Sequence, residues 1–391
     1  MPILCFRRTK KSTKIRKTPI KIKKYSHYIC FFSLLLWFFA LPLKAQENGL
    51  SEYLSALKEA TPPSLAEKVT FESTDSVLKK AGLSYLLESV REGAEAAFPR
   101  AAGFFLSFCG LALLGALAVH LCDKGEKGGY GEMVEKTSAA ALALFVFRFA
   151  EPCLENALQT LKDMEAFYGA MLPVSGALYL AGGNTATASA AGASGALVLS
   201  LCQVLSGEIL SPLLAALASF ALVGAVSNGD CFGIGERLRR LFSTLFGAFV
   251  AIASASLALQ CAVGSAADSA ALRGARYAVA QAVPMVGGAV SSALGTVGAS
   301  VSLIKSTVGG GAVLVLALLV LPTLVELYLM KLALSLGATL AEMMGFEAGK
   351  RTLASLEGVF GMALAALAWM GALFAISFGV LIKTSVAIGG V

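Results

Sequence analysis

Along most of its length the chain alternates long apolar runs with short polar interruptions. About 20 apolar residues make a helix long enough to cross the hydrocarbon of a bilayer. By that rule the strong candidates are 101–121, 241–263, 312–331 and 359–382. Weaker candidates lie at 139–156, 165–181 and 281–304, where charged or small residues dilute the pattern. The run 195–226 is too long for one straight span and is punctuated by Gly207-Glu208 and Ser211-Pro212, which predicts two segments or one broken helix. The pattern therefore predicts an all-α polytopic membrane protein with about six to eight transmembrane or re-entrant helices.

Two stretches depart from this rhythm. Residues 1–24 are basic, and an apolar run to Leu43 follows, the arrangement of a signal peptide within a leader of residues 1–45; an uncleaved anchor is the alternative. Residues 46–100 are charged and amphipathic: Leu83, Leu86, Leu87, Val90 and Ala94 share one helical face, with Glu88, Arg91, Glu92 and Glu95 away from it. Pro99 is expected to close this extracytoplasmic helical region, leaving 101–391 as the membrane domain. Its apolar face is expected to pack on the first membrane helix, with the bilayer surface or a partner subunit as alternatives.

Composition agrees: 57% of residues are hydrophobic and 15% charged, against about 25% charged in a typical soluble domain. The formal charge of +7 comes from the leader. After residue 45 there are 21 basic and 25 acidic residues, and 21 − 25 = −4, so nucleic acid is not an expected partner. The basic cluster Arg237, Arg239 and Arg240 is expected in the cytoplasm. Arg148 is near enough to Glu151 to pair on a helix face, although a snorkelling position at a helix end is the preferred reading. Lys350 and Arg351 fall in the last loop.

Candidate chemistry is sparse. The eight cysteines have no CxxC spacing, and the two histidines, His27 and His120, supply no HExxH site. No Walker A sequence, GxSxG elbow or paired intramembrane Asp is present. The expectation is a protein without enzymatic activity, cofactor or metal. Glu326, four residues after Pro322, is the one acid well inside a strong span and must face protein, water or a basic partner such as Lys331.

The most specific stretch is 281–311. Gly288, Ser292, Gly295, Ala299, Ser302, Ser306 and Gly309 follow one another at steps of four and three, a seam of small side chains along one helix face. Such a seam allows close helix approach in lipid. Pro284 and the flanking glycines also suit a re-entrant or broken helix.

The run Pro284-Met285-Val286-Gly287-Gly288-Ala289-Val290-Ser291, followed by Lys305-Ser306-Thr307-Val308-Gly309 and a span carrying Pro322, resembles the stage III sporulation protein AE family. Leu172-Pro173, Gly182-Gly183 and Ser211-Pro212 also look like that family. Met285 stands where Val is usual, Ser292 where an acid often follows, and Gly310 and Gly311 extend the glycine pair. The resemblance implies a non-enzymatic subunit of a channel or secretion complex between mother cell and forespore, in the mother-cell membrane around the forespore. Its implied partners are other stage III subunits, including a separate ATPase and ring-forming proteins; a homo-oligomer is open. The alternative function is an independent secondary transporter of a small solute with Glu326 in its path.

Overall fold

The computed structural model describes the backbone of residues 83–123, 130–181, 184–226, 231–282 and 287–384, and most side chains there apart from those of 260–282 and 287–306. The leader and the rest of 1–82, with Pro284 and the Gly182-Gly183 turn, lie outside the described residues.

The described residues are helical almost throughout, with no strand among them. The helices are α1 (Leu83–Asp123), α2 (Tyr130–Ala181), α3 (Thr185–Gln203), a π-helical segment (Val204–Leu210), α4 (Ser211–Val226), α5 (Cys231–Ala282), α6 (Gly287–Met343) and α7 (Glu347–Thr384). Because α3, the π segment and α4 are continuous, six units among the described residues are long and apolar enough to cross a membrane: Val90–Leu121, Gly131–Ala181, Thr185–Val226, Cys231–Leu259, Thr307–Met343 and Glu347–Ile382.

Several expected boundaries dissolve into longer helices. The amphipathic stretch and span 101–121 are one helix, α1, which continues through Pro99. Proline removes one backbone hydrogen bond but not the rest, and packing of the apolar face holds the helix through it. On the same helix Gly93 faces Pro322 of α6. The two weak spans 139–156 and 165–181 are the ends of α2, whose charged middle interrupts the apolar pattern without ending the helix. Asp268, Arg273 and Arg276, which separate the apolar runs 241–263 and 281–304, lie within α5. From Gly287 onward the glycine-rich stretch is unbroken helix and runs into the Pro322 span as the 57-residue α6. At 1.5 Å per residue α6 is about 85 Å long, well beyond a hydrocarbon core of about 30 Å.

Side-chain contacts set the directions. α1 and α6 run parallel: Gly93 faces Pro322 and Phe108 faces Gly337, so the same offset, 322 − 93 = 337 − 108 = 229, holds at both contacts. α2 is antiparallel to α1, Phe104 meeting Phe145 and Gly115 meeting Ser138. It is parallel to α7, with Glu135 at Ala348 and Tyr168 at Ser377. α6 and α7 are antiparallel, Val320 meeting Gly371 and Gly309 meeting Ile382. α5 runs with α7, placing Phe246 on Trp369 and Arg239 beside Gly358. Direction thus alternates from each long helical unit to the next.

The connection between α6 and α7 is only a turn, so Lys350 and Arg351 belong to the first part of α7 and not to a loop. Gly345 has φ of 71°, and the bonds Phe346 N–H to Ala341 O and Gly345 N–H to Glu342 O close α6. This is the Schellman arrangement, in which glycine takes the left-handed position. The Ala348 N–H near the start of α7 donates to Glu135 of α2 at 3.0 Å, filling a donor that the helix itself cannot satisfy. Lys350 pairs with Glu342 at 2.9 Å and with Glu347 at 3.8 Å.

The π segment has a legible cause. The buried positions Val198, Cys202, Ser206, Leu210 and Leu214 follow one another in steps of four. In an α-helix 16 residues would turn Leu214 about 160° away from Val198. The wider π turn takes up the excess, marked by the Ser211 N–H bonding Ser206 O five residues back. One face of α3–α4 therefore stays buried along its length.

Candidate functional site

Two clusters of polar side chains lie inside the helical packing, and both include residues of α2. The first forms where α2 crosses α6. Glu326 accepts a hydrogen bond from Asn156 Nδ2 at 2.9 Å and lies 3.9 Å from Arg100 of α1. One α-helical turn along each helix, the Thr160 and Thr323 hydroxyls meet at 3.0 Å, and Thr160 also donates to Asn156 O. Glu326 is thus held by Arg100 and Asn156, whereas Lys331 lies on the α7 side of α6, beside Gly361. The Glu326 side chain is 23% exposed and Arg100 is 79% exposed, so this carboxylate has a counter-charge and access to surroundings.

The second cluster was not among the sequence candidates. Glu165 is 8% exposed, the one buried Asp, Glu, Lys or Arg among the described residues. Its Oε1 accepts a hydrogen bond of 2.5 Å from Ser206 in the π segment. Tyr168, one turn further on, shares a 2.8 Å hydrogen bond with Ser377 of α7 and stacks on Phe374. Cys202 is buried on α3, within electrostatic reach of both Glu165 and Tyr168. Beside them a cleft is lined in part by the hydroxyl-bearing side chains of Tyr168, Ser175, Tyr179 and Ser377. Its enclosed space is near the size of one water.

Of the remaining sequence candidates, Gly309 is buried where α6 meets α7; a Cβ there would come within 2.6 Å of Ile382. Pro322 supports Gly93 of α1. Gly287, Gly288, Ser292, Gly295, Ala299, Ser302, Lys305 and Ser306 are all on the backbone of α6, but their side chains lie outside the described residues. Arg148 and Glu151 are both exposed. Cys109, Cys153, Cys202 and Cys231 are free thiols. Among the described residues no three His, Cys, Asp or Glu side chains are grouped closely enough to hold a metal ion.

The signal that points to Glu165 is in α3–α4, not around Glu165 itself. The steps of four put Ser206 on the buried face, and a buried hydroxyl needs a partner. Around Glu165, by contrast, Lys162 and Asp163 make the stretch look like an exposed connection.

No curated protein matches this chain, and no solved structure does. The model of one family, stage III sporulation protein AE, matches residues 81–385. That match runs from the start of α1 to the end of α7, over more than half of the chain, and carries a role in stage III of sporulation with it. The chain belongs to the stage III sporulation protein AE family.

Proposed function

We propose that this chain is a non-enzymatic membrane subunit of a channel or secretion complex joining mother cell and forespore, required for endospore development. The observation that carries this reading is the family match over 81–385. Six apolar helical units fit residence in a membrane, and the mother-cell membrane around the forespore is the one this reading selects. A separate ATPase and ring-forming subunits would complete the assembly. Residues 1–45 would direct export, placing the segment up to residue 100 on the far side of the membrane.

Deleting the gene in a spore-former should lower heat-resistant spore yield by orders of magnitude, with arrest after engulfment begins; normal yields would overturn the reading. The small-residue seam of α6 is its proposed subunit contact. Gly295→Leu and Ser302→Leu should each reduce recovery of the assembled complex, and Val290→Leu on another face should not. Equal recovery from all three would remove the seam from the proposal. Partner-free solute movement by the purified chain in liposomes, abolished by Glu326→Gln, would favour the transporter instead.

A further inference from the structure

We propose that Glu165 and Ser206 form a proton-binding site within the membrane domain, one helical turn from the hydroxyl-lined cleft at Tyr168. A buried carboxylate in such a domain is costly unless it is paired or protonated, and Glu165 has no ion pair among the described residues. The groups facing it are few. α3 and the π segment offer Cys202 and Ser206. Its own helix offers Lys162, exposed and less than one turn back, and the half-exposed Asp163. On the neighbouring face of α2, Met164 meets Gly371 of α7, beside Val320 of α6. Lys162 is the one cation among these groups, and it is exposed and makes no ion pair with Glu165 among the described residues.

The hydrogen bonds supply a second state. With Glu165 ionised, Ser206 donates to its Oε1. A proton delivered by a hydronium ion forms an O–H bond on the carboxyl and leaves a water molecule, and this O–H then donates to Ser206 Oγ. The Ser206 hydroxyl turns its own hydrogen to Gln203 O, already 3.4 Å away. No oxidant or leaving group is involved; one proton leaves a hydronium ion and one O–H bond forms. Because Ser206 lies in the π segment, the exchange changes the hydrogen bonding of the one turn that sets the rotation of α4 against α3. This site belongs to the chain alone, so its test needs no other subunit and is independent of whether the sporulation assembly exists.

The test is infrared difference spectroscopy of the full-length protein in phosphatidylcholine vesicles, titrated from about pH 4 to about pH 10. Wild type should show a carboxylic-acid carbonyl band that appears and disappears with pH. Glu165→Gln, nearly isosteric and still able to accept from Ser206, should lose that band and take up about one proton fewer per chain over the range. Glu326→Gln should retain it. If Glu165→Gln does not accumulate, Ser206→Ala keeps the carboxyl and must shift the band, because its hydrogen-bond partner is gone. A spectrum unchanged by Glu165→Gln, a carboxyl that does not titrate, or an unshifted band in Ser206→Ala overturns the proposal.

Discussion

Two carboxylates on neighbouring helices, Glu326 and Glu165, meet the cost of leaving water in opposite ways. Glu326 keeps a side chain 23% exposed and gains Arg100 and Asn156. Glu165 gives up nearly all exposure and has a single neutral hydroxyl. Apolar surroundings in the sequence are therefore a poor guide to burial. Glu326 sits in the most apolar company of any acid in the chain but at a boundary between three helices. Glu165 sits in a charged stretch but points into the packing.

The largest test of this contrast is charge reversal. Glu165→Lys would bury an ammonium with no partner and should cost about 3–5 kcal/mol, read as loss of folded protein in membranes or a collapse of Tm in detergent. Glu326→Lys, near a surface that can hydrate it, should lower Tm by clearly less. Equal losses would erase the distinction. Next in size is Ser206→Ala, which removes the hydrogen bond to a buried carboxylate and should cost about 1–3 kcal/mol by thermal unfolding. Thr323→Val should cost about 0.5–1.5 kcal/mol, because Thr160 still donates to Asn156 O. Smallest is Arg100→Ala, at less than about 1 kcal/mol, since an exposed pair at 3.9 Å contributes little; a larger drop would mean that Arg100 is the main support of Glu326.

The class of the fold was legible because apolar runs of membrane length have few alternatives. The number of helices was less so. Charged residues in the middle of α2 and glycines at the start of α6 look like interruptions, yet a helix continues wherever its backbone bonds are made and its neighbours are satisfied. Glu326 stood out because a lone acid in a strong span is visible to a window of hydrophobicity. Glu165 did not, since its burial depends on Ser206, 41 residues later, and on a π turn that shifts the face of α3–α4. Glycines at close contacts are similarly silent: nothing near Gly337 announces that Phe108 occupies the space a Cβ would need.

α6 and α5 show the same limit for whole spans. Both are apolar, yet 94% of the most apolar window of α6 is buried against 17% of that of α5. Hydrophobicity puts a helix in the membrane, and side-chain size and register decide whether it faces lipid or protein.

The parallel pairing of α1 with α6 also bears on how the chain is made. The contact surfaces of Gly93 and Phe108 are each synthesised 229 residues before the ones they meet, Pro322 and Gly337. At ordinary ribosomal speeds that is a wait of about 10–50 s. Until then the α6-facing side of α1 has no α6 to pack on, and the α6–α7 hairpin supplies it.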